Sequence, residues 1–219
     1  MTLGESINNA FGDVYILSLK SCYDRREYIK NECDKINLKY QFFDAYDGVK
    51  LFHNLEYQDT TISNRFSPYP SSARYYAAQV SADVIVMNAI NNDLKSFVLL
   101  NDDIYWENYQ NFTHQNFLDI KNKIPNQWDI IILGNIDTLY SYTGEIKYDI
   151  AEHYSGCHGI VINNILYHDW LKYSAEKQYV GDGFVEFLCT QKNKIVYSLK
   201  PDVCLQNRGI PTTITKIKI

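Results

Sequence analysis

The chain has 219 residues, 46% hydrophobic and 21% charged, with a formal net charge of -5. That is enough for one large domain and marginal for two. The charge, spread without long like-charge runs, excludes a nucleic-acid binder relying on a broad basic field, and no stretch approaches the roughly 20 apolar residues of a membrane span. Met1 to Asp13 is polar and lacks an apolar h-region, so no secretory signal is expected and the cytoplasm of a bacterium or a virus-infected host is the expected location. Tyr is heavily used (19 residues), and Asn, Ile and Lys are common, as in proteins from AT-rich genomes. Cys22, Cys33, Cys157, Cys189 and Cys204 show no CxxC spacing, so reduced thiols are expected. Asn111-Phe112-Thr113 is a formal glycosylation sequon, read as a helix start in a chain without a signal. One domain over residues 1–219 is expected, with 1–12 and 210–219 as peripheral tails.

In chain order, Val14 to Leu19 reads as the first strand. Ser21 then offers an N-cap with Asp24 three residues on, and Cys22, Ile29, Cys33 and Ile36 form a helical apolar stripe. Arg25 and Arg26 sit in the first turn, where arginines beside a strand's carboxyl end clamp an anion or lie on a solvated face. Lys39 to Phe43 is a second strand, completing a βαβ unit of the doubly wound type. Asp44 to Gly48 is a turn at the carboxyl edge, where a nucleoside fits. Residues 49–72 look irregular. Ala73 to Ile90 is the strongest helix, with Ala77, Val80, Val84 and Met87 as its apolar stripe. Phe97 to Leu100 is a buried, parallel central strand. A helix over Phe112 to Lys123, a strand over Trp128 to Gly134 and a flap over Asp137 to Tyr148 follow. Then come a strand from Gly156 to Ile162 and a helix from Asn163 to Ser174. The glycines at the start of that strand permit close approach of a ligand or another backbone. A helix runs from just after Asp182 to Gln191, then a strand from Ile195 to Leu199 and an extended segment to Gln206.

The central strand runs straight into Asn101, Asp102 and Asp103. Parallel sheets present ligand sites at the carboxyl ends of their strands. Two adjacent carboxylates repel unless a cation or proton sits between them. Hard oxygen ligands suit Mg²⁺ or Mn²⁺, which often carry a substrate diphosphate. The pattern points to a metal-assisted transfer enzyme with a nucleotide-linked donor, set against a merely solvated strand end. A phosphoryl or nucleotidyl transferase competes, although no Walker-type phosphate loop is present.

Several motifs then line up in order: Asp24-Arg25-Arg26 after a strand, Asp44-Ala45-Tyr46-Asp47-Gly48, Asn101-Asp102-Asp103, Trp128-Asp129 through Leu133-Gly134, Asp182, and Pro201 with Gln206 and Gly209. Together they resemble the family 25 glycosyltransferases, a group of lipopolysaccharide-type and collagen galactosyltransferases, over roughly residues 14–214. Two positions depart from the family pattern: Asn101 replaces an acid, and Ala82 follows Ser81 where the family has histidine. The resemblance implies an α/β, GT-A-like fold, a Rossmann-type, mostly parallel central sheet flanked by helices. It implies a UDP-sugar or other nucleotide-sugar donor, a glycan or protein hydroxyl as acceptor, and inversion. Asp103, with Asp102 assisting, would hold Mn²⁺ or Mg²⁺. Arg25, Asp44, Asp47, Asn101 and Asp102 would hold the nucleotide, Asn101 through its amide on the metal or the ribose. Asp182 would be the base, with Glu186 as the alternative; a helix N-cap is the other reading of Asp182. A catalytically weakened glycan- or nucleotide-binding protein is the alternative function. His158 reads as an ordinary hydrogen-bonded histidine.

Overall fold

Helices cover both faces of one seven-stranded sheet. The structure, a computed structural model, describes residues 1–48, 50, 70–106, 109–111, 115, 117, 122, 124–125, 127–134, 147–150, 158–176, 182–191, 193–200 and 202–210. The expected helix over 112–123 and flap over 137–148 fall largely outside these residues. So do 49 and 51–69 of the stretch expected to be irregular, Gly156, Cys157, Pro201 and residues 211–219.

The strands are β1 (Asp13–Ser18), β2 (Gln41–Asp44), β3 (Ser96–Asn101), β4 (Ile104–Tyr105), β5 (Ile130–Gly134), β6 (Lys147–Ile150), β7 (Gly159–Asn163), β8 (Val196–Lys200) and β9 (Leu205–Gln206). The large sheet has the order β2-β1-β3-β7-β5-β8-β6. β2, β1, β3, β5 and β8 share one direction, while β7 and β6 run against them. The expected mostly parallel sheet is present, with β7 wedged antiparallel between β3 and β5. β4 and β9 form a separate antiparallel pair.

Side-chain alternation divides the core. Val14, Ile16, Val98 and Leu100 face one layer, with Ile7 and Phe11 of helix α1 (Leu3–Phe11) and Ile29 and Cys33 of α2 (Tyr23–Lys35). Tyr15, Phe97, Leu99 and Ile132 face the other. That layer holds α3 (Pro70–Asn91), α4 (Tyr167–Ala175) and α5 (Asp182–Thr190). Strands buried on both faces need continuous apolar runs, and β5 is buried at every position.

Three expectations are corrected. Residues 1–12 are no peripheral tail: Thr2 and Glu5 form a capping box, and Leu3, Ile7 and Phe11 are buried. Their i, i+4, i+8 spacing is a helical stripe inside an otherwise polar segment. α3 buries Ala77, Ala82, Ile85, Val86 and Ala89, whereas Met87 is 43% exposed. The helix is packed between the sheet and α4, and its small residues face inward. It also begins at Pro70, three residues before the expected start; proline at the first helical position costs no hydrogen bond. Ser21 does not cap α2: Cys22 occupies the N-cap and makes no side-chain cap bond.

The edge of the sheet opposite the strands' carboxyl ends is clasped by a buried ion pair. Lys194 lies 3.5 Å from Asp129 and 2.5 Å from Asp169. Asp129 also accepts the Ile195 N–H at 2.7 Å. The tryptophan–aspartate pair before β5 therefore serves the scaffold.

Candidate active site

From β1 the chain goes out to β2 and returns to β3 on the other side of β1. Such a reversal opens a crevice between the carboxyl ends of the two strands. Leu17 is in register with Asn101, so Ser18 and the acidic turn after β3 border that crevice.

Asp102 and Asp103 are each 6% exposed. Asp102 Oδ2 accepts the Ser18 hydroxyl at 2.6 Å. Its Oδ1 accepts Arg25 Nε at 2.8 Å and also Arg25 Nη2. The same Nη2 lies 3.2 Å from Asp103 Oδ2, which accepts Gln206 Nε2 at 3.1 Å. One guanidinium thus stands between two buried carboxylates and offsets one of their two charges. Burial works against the charge on Arg25, but Asp102, through its charge and its hydrogen bond, outweighs this together with Asp103 and raises the pKa. Asp103 Oδ1 is buried and has no hydrogen-bond partner among the described residues.

A parallel arrangement ties in the turn after β2. Arg26 Nη2 donates to the Ser18 carbonyl at 2.8 Å and to Asp44 Oδ1 at 2.6 Å, with its guanidinium 4.7 Å over the Phe42 ring. Hydrogen bonding from Arg26 holds the Asp44 carboxyl below its usual range. Ala45 N–H donates to the same Ser18 carbonyl at 2.9 Å. Ser81, on α3, accepts the Tyr46 N–H at 2.9 Å, and Asp47 accepts the Lys50 N–H at 3.4 Å. Ser18 thus joins the acidic turn, both arginines and the Asp44–Asp47 turn.

The far side of the acidic turn is held by a strap from the end of the chain. Val203 and Cys204 both donate to the Leu133 carbonyl, at 2.7 and 3.2 Å. A Cβ at Gly134 would fall 1.9 Å from the Cys204 carbonyl oxygen, and one at Gly159 2.8 Å from its sulfur. Of the two approaches expected at the start of β7, Gly159 accommodates the second: another part of the chain. The strap continues into β9, which pairs with β4 just past Asp103. Asn207 N–H donates to the Asp103 carbonyl at 2.7 Å, and its side chain donates to Tyr28 Oη at 3.0 Å. A cleft of about 720 Å³ opens beside the strap, along α2.

The glycosyltransferase family 25 (LPS biosynthesis protein) model matches residues 11–182. The chain belongs to glycosyltransferase family 25. No curated protein matches it. Its fold is similar to that of a protein from STIV, with a TM-score of 0.45 at 12% identity over 84% of this chain and 79% of that one. A glycosyltransferase involved in glycosylating the major capsid of PBCV-1 gives 0.40 at 12% identity, over 76% and 67% of the two chains. Mouse xyloside xylosyltransferase 1 gives 0.40 at 13% identity, over 84% and 71%.

In this family 25 glycosyltransferase, the structure brings Arg25, Asp102 and Asp103 into one cluster and links Asp44 to it through Arg26 and Ser18. Asn101 is half-buried at the end of β3, its N–H on the His158 carbonyl at 3.0 Å. Ala82, at the family's histidine position, is 7% exposed in the core. Asp182 is the first residue of α5, and Glu186 lies half-buried one turn on. α5 packs through Phe184, Val185 and Leu188 on the sheet face opposite α2. Ser18 and Tyr28 were not singled out from the sequence, and Gln206 only as a member of the terminal segment with Pro201 and Gly209, without its tie to Asp103. The signal for Ser18 is a small hydroxyl ending an apolar strand, and for Gln206 an amide two residues past a buried cysteine.

No set of three or more His, Cys, Asp or Glu side chains gathers as a metal site among the described residues. Mg²⁺ carried with a diphosphate needs only one or two carboxylates, because phosphate and water oxygens complete its shell. The unpartnered Asp103 Oδ1 fits that requirement. Both oxygens of Asp102 are engaged by Ser18 and Arg25.

Proposed function

We propose that this glycosyltransferase moves a sugar from a nucleotide-sugar donor, a UDP-sugar in the first instance, to a hydroxyl of a glycan or protein, with inversion. The observation that supports this is the buried Arg25–Asp102–Asp103 cluster at the crevice between β1 and β3. Two carboxylates and one guanidinium leave a net negative charge where a diphosphate must sit, so a further cation is needed. Asp103 Oδ1 would hold Mn²⁺ or Mg²⁺, which supplies positive charge to the departing diphosphate.

The chain's own groups do the rest. Asp102 fixes Arg25, whose charge adds to the field at the crevice. The Asp44–Asp47 turn, braced by Arg26 and Ser81, holds the nucleoside, and Asn101 meets the ribose or the metal through its amide. Inversion requires the acceptor oxygen to attack the anomeric carbon from the face opposite the leaving diphosphate. A carboxylate must take that oxygen's proton. Asp182 is the base of choice and Glu186 the alternative. A Cβ at Gly183 would meet open space, which favours approach of an acceptor beside Asp182.

The test is turnover of a panel of UDP-, GDP- and CMP-sugars with Mn²⁺ present. Release of nucleotide from one class, UDP-sugars first, is expected. Turnover of nucleoside triphosphates with no nucleotide sugar consumed would contradict the reading.

A further inference from the structure

The two oxygens of Asp103 stand in different company. Arg25 Nη2, at 3.2 Å, and Gln206 Nε2, at 3.1 Å, both approach Oδ2. Oδ1 is buried and meets no hydrogen-bond partner among the described residues. An ionised carboxylate only accepts hydrogen bonds, so the Gln206 amide must face it with its NH₂ end. Two donors on one oxygen fix the rotation of the carboxyl group and leave the other oxygen open. The amide is neutral, so it orients Asp103 without cancelling the charge that a cation requires.

The two donors come from distant parts of the chain, Arg25 from α2 and Gln206 from β9. Strand register holds Gln206 in place. It pairs with Ile104, the residue after Asp103, and the Asn207 N–H donates to the Asp103 carbonyl at 2.7 Å. Asn207 Nδ2 donates to Tyr28 Oη at 3.0 Å, while its Oδ1 accepts the Gly209 N–H at 3.0 Å. Tyr28 follows Arg25 by three residues, a spacing that puts both on one face of a helix. That face of α2 grips the carboxylate through Arg25 and the strap through Tyr28. These backbone pairs close the strap without the Gln206 side chain, which donates to Asp103 instead.

We infer that Gln206 is a positioning residue: it turns the Asp103 carboxyl so that Oδ1 is offered to a divalent cation, and the Tyr28–Asn207 bond keeps Gln206 at that post. The inference rests on the metal-dependent glycosyltransferase reading and adds the residue that sets the cation's affinity. The test measures Mn²⁺ binding to the 219-residue chain in the presence of UDP, counted from the paramagnetic resonance signal of the free ion. Wild type is compared with Gln206→Met and Tyr28→Phe. Methionine keeps the length of glutamine but cannot donate, and phenylalanine keeps the ring while removing the acceptor of Asn207. The Mn²⁺ dissociation constant is expected to rise about tenfold in Gln206→Met, as when a group that orients a metal ligand is lost. A smaller rise is expected in Tyr28→Phe. UDP affinity at saturating Mn²⁺ is expected to match wild type in both, a split that general damage to the fold would not give. Unchanged Mn²⁺ affinity in Gln206→Met, or UDP binding that saturating Mn²⁺ does not restore, would overturn the inference. Should Gln206→Met fail to fold, Tyr28→Phe decides, and wild-type Mn²⁺ affinity there would overturn it equally. A wild type that binds no Mn²⁺ beside UDP would instead overturn the metal-dependent reading itself, and the inference with it.

Discussion

Replacing Arg25 by alanine leaves Asp102 and Asp103 facing each other under burial, with Ser18 and Gln206 as their remaining side-chain donors among the described residues. Removing one partner from a buried ion cluster costs roughly 3–5 kcal/mol. Urea unfolding of Arg25→Ala is expected to report a loss of that order. Arg25→Lys retains charge but cannot bridge both acids with a planar fork, so it should recover stability only in part. An Arg25→Ala protein as stable as wild type would contradict a buried cluster held together by Arg25. Asp182→Asn tests a different role. It should abolish sugar transfer while UDP still binds, because a base acts only on the acceptor. Retained transfer would move that role to Glu186.

At the scale of elements, the strap is the part on which the acidic turn depends. Gly134→Ala sets a methyl group 1.9 Å from the Cys204 carbonyl, and neither backbone can yield without breaking the bonds to Leu133. Overpacking of this kind costs roughly 1–3 kcal/mol. Faster amide exchange over residues 203–207 is expected, together with reduced transfer, because Gln206 would leave Asp103. Unchanged exchange would show that the strap tolerates the shift. Helix α1 makes a second case: Phe11→Ala should destabilise by about 3–5 kcal/mol, as for other buried aromatic truncations. A tail would show no loss in the same melt. The α3–α4 contact has a pH signature. Asp83 accepts from Trp170 Nε1, Ser174 Oγ and Gln79 Nε2 at 2.9, 2.6 and 3.0 Å. Burial raises its pKa despite these donors. A carboxyl raised on folding adds stability while protonated and loses it as pH climbs from the ordinary value, about 3.9, through the raised one. Melts of Asp83→Asn across that window should lack this decline. A slope identical to wild type would assign the decline to other groups.

At the scale of the whole molecule, local patterns carried the scaffold and long separations hid the site. The apolar run of β3 ending in two carboxylates was readable because strand burial and carboxyl-end placement are local consequences of the sequence. The partners of those carboxylates were not. Ser18 lies 84 residues from Asp102, Gln206 lies 103 from Asp103, and Tyr28 is 179 from Asn207. The assembled fold brings them together. α1 was hidden because its polar residues outnumber three well-spaced apolar ones. The α3 stripe was placed on the wrong face because alanines and Ser81, rather than the larger Val80, Val84 and Met87, pack against the sheet and α4. The arginine pair was legible as an anion clamp, yet in the structure its anions are the protein's own aspartates.

The most direct test of the central claim is UDP affinity titrated against Mn²⁺ for wild type and Asp103→Asn. The account predicts that Mn²⁺ tightens UDP binding in the wild type and that the substitution removes the metal-dependent part while leaving the fold intact. UDP binding equally strengthened by Mn²⁺ in both proteins, or insensitive to Mn²⁺ in both, would contradict a cation held at Asp103.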